Sequence, residues 1–167
     1  MVGIAGGPHK CRYVTEDLGA DACVDYKQSP DSKALGEALA RQAPEGFDAC
    51  FDNVNGWVLD AILPRMNRFG RIALCGMIAR YGQAPNHLTA HGHLLISRLR
   101  AQGFIVWDHI DMWQQAVDEL GALLDAGGLR YQETIAHGIA AAPEACIGLL
   151  SGQNLGKQIV NLKLPNH

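Results

Sequence analysis

Short runs of apolar residues alternate along the chain with longer stretches in which apolar positions recur every three or four residues. That alternation is the signature of repeated βα units, so the pattern predicts an α/β fold with parallel strands. Residues 1–5 read as a strand that stops at Gly6-Gly7. Pro8 then suits the first helical turn, where its missing N–H is no loss. Cys11, Val14 and Leu18 recur at helical spacing, and Gly19 supplies a left-handed stop. Residues 22–26 form the next strand, and Ser29-Pro30 opens a helix with Ala34, Leu35, Ala38 and Leu39 on its buried stripe.

Strands are expected at residues 47–53, 71–76 and 103–108, the second nearly all apolar as befits a strand covered on both faces. Helices are expected around Trp57 to Leu63, over 91–100, and from about 110 to 126, where Trp113, Val117, Leu120 and Leu124 share a face. The last part reads as strand (131–135), helix (143–150) and strand (157–164).

Composition narrows the function classes. The 167 residues carry 14 Lys plus Arg against 17 Asp plus Glu, a formal net charge of −3, with no basic stretch. No nucleic-acid partner is expected from that balance. The longest apolar run, 72–79, is too short to span a bilayer, and residues 1–5 do not make a signal peptide, so no membrane partner is expected. Cys11, Cys23, Cys50, Cys75 and Cys146 form no C-x-x-C pair and sit among apolar neighbours. They read as reduced core residues of a cytoplasmic protein.

No G-x-G-x-x-G turn is present. The strand ending at Gly6 nevertheless resembles the second strand of a dinucleotide fold, where Asp or Glu would bond the ribose 2′-hydroxyl of NAD. Here that end is small and uncharged, and His9, Lys10 and Arg12 follow. Two glycines leave room for an anion, the helix start offers N–H groups, and Lys10 adds a charge. This suits the 2′-phosphate of NADP; surface bases at a solvated helix start would give the same residues. His87, His91 and His93 spell H-x-x-x-H-x-H, but the last two face different sides of a helix and no Cys or carboxylate is near, so no metal site is assigned. No hydrolase elbow or P-loop occurs.

Further runs, Gly3-Ile4-Ala5-Gly6-Gly7-Pro8-His9-Lys10-Cys11, Asp25-Tyr26-Lys27, Phe51-Asp52-Asn53-Val54, Cys75-Gly76, Gly103-Phe104-Ile105-Val106 and Asn154-Leu155-Gly156-Lys157, carry a more specific likeness. In order and over the whole chain, they resemble the zinc-independent branch of the medium-chain dehydrogenase/reductases. The nearest likeness is to the NADP-dependent alkenal/one oxidoreductases, which include prostaglandin and curcumin-type reductases.

The resemblance implies a Rossmann-like doubly wound parallel sheet that lacks the first strand and glycine-rich turn of the full domain. Residues 1–127 would be the partial NADP-binding domain. Residues 128–167 would be a strand–helix–strand that packs toward a GroES-like substrate domain lying outside this sequence. Lys10 and Tyr26 match positions that bind the 2′-phosphate, for which Gly6 and Gly7 leave room. Asn53, Val54, Cys75 and Gly76 match strand ends beside the cofactor, and Tyr81 the start of a cofactor loop. Phe104, Ile105 and Val106 match the segment approaching the nicotinamide, and Asn154 a late cofactor contact.

The implied activity is hydride transfer from NADPH to the carbon–carbon double bond of an enone or enal, or to a quinone. A homodimer through the edge strand around Phe104–Trp107 is also implied. Two departures matter. Asn55 stands where the family has a glycine; Asn tolerates the left-handed turn. Trp107 stands where some members have a tyrosine, and an indole cannot act as an acid. No catalytic residue is therefore assigned. In the family's strand order the absent strand lies between the strands at 1–5 and 47–53, so their facing edges lose a partner. Three outcomes stay open: a longer polypeptide, closure by direct pairing, or a strand from another chain. The rival to an active enzyme is a catalytically silent nucleotide-binding or dimerisation module.

Overall fold

The computed structural model describes residues 1–80 and 88–163. Two compact units make up the chain, Met1–Asp111 and Met112–His167. The boundary precedes helix α5 (Trp113–Asp125). At the end of that helix Gly128 and Leu129 N–H both donate to Leu123 O.

The first unit contains β1 (Val2–Ala5), α1 (Pro8–Arg12), β2 (Ala22–Asp25), α2 (Ser32–Gln42), β3 (Phe47–Asp52), α3 (Trp57–Ile62), β4 (Met66–Leu74), α4 (Gly92–Ile96) and β5 (Arg100–Gly103). Every strand pair is parallel. β1 pairs with β2, and β3, β4 and β5 form a second ladder in that order. Direct pairing of β1 with β3 is absent, which answers one of the three outcomes left open by the sequence.

The connections fix how the strands are laid out. Gly3 and Cys23 share one face of the β1–β2 sheet, and the Val14 side chain after α1 lies against Gly3. Val24 faces the other way, into a buried cluster with Leu35 and Leu39 of α2. The two crossovers thus run over opposite faces. Right-handed crossovers on opposite faces travel in opposite directions, so β3 lies on the β1 side of β2. The layout is β2–β1, an interruption, then β3–β4–β5. This is a Rossmann-like doubly wound arrangement broken at one place.

The core is the seam between the sheet and α2 and α3. Leu35, Leu39, Val58, Leu59, Ile62, Leu63, Met66 and Ile72 are buried there. Asp60, also buried in α3, accepts Thr89 N–H, Thr89 Oγ1 and Ala90 N–H at 2.7–3.0 Å. Its charge is thereby fully occupied by donors.

Several boundaries differ from expectation. α2 starts at Ser32 because Asp31, not Ser29, caps it by accepting Ala34 N–H at 2.8 Å. α4 ends at Ile96, and Arg98 adopts a left-handed φ of 49°. The strand expected at 103–108 is β5, Arg100–Gly103, in register with Arg71 to Leu74. Phe104–Trp107 therefore lie past the edge strand rather than in it.

The second unit holds α5, β6 (Glu133–His137), α6 (Ala142–Leu150) and β7 (Lys157–Asn161), with β6 and β7 parallel. The Thr134 hydroxyl donates to Leu155 O and accepts Leu155 N–H, fixing the turn into β7.

Candidate functional site

The parallel strands of the first unit end on one side, and candidate residues of that unit collect there in two groups. The first lies beyond β1 and β2. In-register pairing of Ala5 with Asp25 places Asp25 beside Gly7, whose N–H it accepts at 2.7 Å. The same oxygen accepts Lys27 N–H at 3.0 Å. The amide of Gly7, the cap of α1, is therefore engaged by Asp25. Gly7 has φ +97° and open space around its missing Cβ. A Cβ on Gly6 would come within 2.9 Å of Tyr26 Cε1 and 3.0 Å of both Tyr26 Oη and Lys27 Cε. Only glycine allows the tyrosine and lysine to fold over the strand end.

Lys10 lies on α1, and burial, then the neighbouring charge of Lys27, hold its ammonium below the usual lysine range. The Lys10 ammonium, with Lys27 nearby, stands at a glycine-lined strand end and makes a place suited to an anion. The Tyr26 ring in turn meets Trp57 of α3 edge-on, centroids 6.0 Å apart.

The second group lies beyond β3 and β4. Asp52 is buried, and its Oδ1 accepts Val54 N–H and Asn55 N–H, both at 2.9 Å, turning the chain out of β3. Asn55 has φ 67°, in keeping with the left-handed turn expected there. Asp52 O accepts Cys75 N–H at 2.8 Å and Gly76 N–H at 3.4 Å. A Cβ on Gly76 would run into Asn53 Oδ1, so this glycine is what lets Asn53 lie across the end of β4. Asn53 O and Val54 O accept Ile78 and Ala79 N–H, tying the departing chain to the same turn. Phe104 N–H donates to Leu74 O at 3.2 Å, and its ring lies 6.2 Å from that of Phe51.

The structure thus brings Gly6, Gly7, Lys10 and Tyr26 together, and Asn53, Val54, Cys75, Gly76 and Phe104 together. Ile105 and Val106 follow Phe104 and are exposed. Asn154 belongs to the second unit, where its side-chain amide donates to Gly156 O at 2.7 Å. Tyr81 and His87 lie outside the described residues. Sequence reasoning missed the roles of Asp25, Lys27 and Asp52; a carboxylate at the last position of a strand, followed by a turn, is the signal common to both acids.

The cysteines need correction too. Cys75 and Cys146 are exposed rather than core residues, while Cys11, Cys23 and Cys50 are partly buried. Burial, followed by the Cys11 thiol, pushes the Cys23 thiol up to about 12. Burial, then Asp52, pushes Cys50 to about 11. No cluster of His, Cys, Asp and Glu among the described residues could hold a metal ion. No described helix is long and apolar enough to cross a membrane.

Residues 1–122 match the family described as zinc-binding dehydrogenase. The chain belongs to that family. It is 38% identical over 161 residues to a 2-alkenal reductase (NADP(+)-dependent) of Nicotiana tabacum, a match covering 96% of this chain and 46% of that protein. It is 36% identical to the NADPH-dependent curcumin reductase of Escherichia coli, covering 97% of this chain and 48% of the relative. Among solved structures, CurA of Vibrio vulnificus in complex with NADPH superposes with a TM-score of 0.85 at 35% identity, over 98% of this chain and 50% of that one. The chain spans about half the length of the curated relatives it matches.

Proposed function

We propose that this chain is the cofactor-binding portion of an NADP-dependent oxidoreductase that reduces the carbon–carbon double bond of enones or enals, or reduces quinones. The observation that carries the reading is the Lys10–Lys27 pair beside Gly6. A dianion is favoured beside these cations, and β1 itself ends in uncharged Ala5, followed by Gly6 and Gly7, while the Asp25 carboxylate from β2 is taken up by the Gly7 and Lys27 N–H groups. The relatives named for NADP and NADPH support the same cofactor.

In this reading Lys10 grips the 2′-phosphate by charge and Tyr26 by its hydroxyl, with Gly6 and Gly7 giving room. Asn53, Val54, Cys75 and Gly76 border the cofactor at the strand ends, Phe104, Ile105 and Val106 approach its reactive end, and Tyr81 and Asn154 add contacts. The nicotinamide, when bound, supplies the hydride. The protein contributes position and the exclusion of water. Residues 1–127 serve the cofactor, and 128–167 pack toward a substrate domain. Copies pair through the free edge of β5, next to Phe104–Trp107, to make a homodimer.

A fluorescence titration with NADPH and NADH tests the cofactor assignment. Tighter binding of NADPH than NADH is expected, and equal binding refutes it. The interruption between β1 and β3 favours a second reading for the isolated chain, a catalytically silent module. Binding of NADPH without turnover of any enone, enal or quinone would select it.

A further inference from the structure

We propose that Cys11 and Cys23 are a redox-sensitive pair, which a hydroperoxide joins in a reversible disulfide that ties α1 to β2 and draws Lys10 away from its place beside Gly6. The two thiols share one face of the first sheet. Cys23 pairs in register with Gly3, and its Sγ lies 3.5 Å from where a Cβ on Gly3 would stand. Val14 Cγ1 closes on the same spot at 2.7 Å, so the helical turns after Gly7 lie over this face. Cys11 comes one turn before Val14 on the same side of those turns, and its thiol is the side-chain partner of the Cys23 thiol. Both cysteines are partly buried, and neither is in a disulfide.

The two elements differ in how firmly they are held. β2 pairs with β1 along its whole length, which fixes Cys23. α1 has five residues and no side-chain cap, and it runs into a wide turn in which Leu18 N–H reaches back five residues to Tyr13 O. Helices bend at such turns. Closing an S–S bond therefore moves α1 rather than β2, and Lys10, next to Cys11, moves with it. In the first step the Cys11 sulfur attacks the hydroperoxide, the O–O bond breaks, and an alcohol leaves with the thiol proton, giving a sulfenic acid. The Cys23 sulfur then attacks that sulfur, the S–O bond breaks, and the hydroxyl departs with the Cys23 proton as water. Two thiols are oxidised by two electrons and one peroxide is reduced. Burial, then the Cys11 thiol, push Cys23 up to about 12 and keep it protonated, so Cys11 meets the peroxide first.

The test treats the 167-residue chain with hydrogen peroxide at low micromolar protein, blocks remaining thiols, and digests with trypsin without reduction. Cleavage after Lys10, Arg12 and Lys27 should leave the dipeptide Cys11-Arg12 joined to residues 13–27, and dithiothreitol should separate them. Amide exchange over residues 8–12 should change on oxidation and return on reduction. The effect on the coenzyme rests on the cofactor reading above, whereas the disulfide does not. NADPH affinity should fall about fivefold or more on oxidation and recover with dithiothreitol. Cys23→Ser should abolish that loss, and Cys11→Ser serves if the first variant does not fold. A reduced chain that binds NADPH no better than NADH refutes the cofactor reading and leaves the linked peptides and the exchange to decide the disulfide. Peroxide that carries Cys11 on to a sulfinic acid, or joins it to Cys75 or Cys146 instead, overturns the proposal. So does a Cys11–Cys23 bond that leaves exchange over residues 8–12 unchanged.

Discussion

Replacing Lys10 by methionine should move two quantities in opposite directions. Methionine keeps the length of the side chain and removes the charge. In the free chain the ammonium is held below the usual lysine range, by burial first and by Lys27 second. The folded state therefore disfavours the charged form, and free-chain stability rises as pH climbs through the lowered pKa toward the ordinary lysine value. Lys10→Met removes that repulsion. Lys10 is partly buried but still reaches solvent, so screening limits the gain to a few tenths of a kcal/mol.

Binding has the other sign. A hydrogen bond to a charged group is worth about 1.5–3 kcal/mol, and exposure reduces this to about 1–2 kcal/mol here. NADPH affinity should therefore fall about 5–30-fold, while NADH affinity changes by less than about twofold, since NADH carries an uncharged hydroxyl and no phosphate at this position. The assay is a pair of fluorescence titrations with thermal melts of the free chain. Wild-type NADPH binding should also weaken as pH rises through the Lys10 pKa, and NADH binding should not. A variant that loses NADPH and NADH equally, or one that melts several degrees lower without ligand, would refute the reasoning.

Asp60→Ala strips the acceptor from Thr89 and Ala90 and should cost about 3 kcal/mol in urea unfolding, as loss of a buried charged acceptor does. Leu39→Ala, at a fully buried site under the sheet, should cost about 2–5 kcal/mol by the same measurement. Gly6→Ala should abolish the NADPH preference, because its methyl meets Tyr26 and Lys27; a binding titration with preserved selectivity would contradict the cradle described above. At pH 8 a thiol reagent should label Cys75 and Cys146 quickly and Cys23 and Cys50 slowly. The Cys50 rate should climb only as pH approaches about 11, which stopped-flow labelling read by mass spectrometry would follow.

The parts of this fold legible in the sequence are those set by local pattern. The βα alternation, the Gly6-Gly7 stop and the left-handed Asn55 all follow from residues close in the chain. Of the candidate site, the placing of Gly6 at a strand end and of Lys10 on the helix after it was legible, because one strand and its turn decide it. The site was not legible where pairing between strands decides. Asp25 reaches Gly7 only because Ala5 is its ladder partner, and that register is invisible before the sheet forms. The apolar run at Phe104–Trp107 reads as a strand on period alone, but the register with β4 ends at Gly103, and Phe104 N–H on Leu74 O is the last bond to that strand. Cys75 has apolar sequence neighbours and still meets solvent, because it comes just after β4 ends at Leu74.

The edge-on packing of Tyr26 against Trp57 has an optical consequence. An indole that close to a phenol which itself folds over Gly6 changes its emission whenever the phenol ring shifts. The chain therefore carries a built-in spectroscopic gauge at the mouth of its first strand, readable without a dye, and a Trp107 and Trp113 double replacement by phenylalanine would leave that signal standing alone.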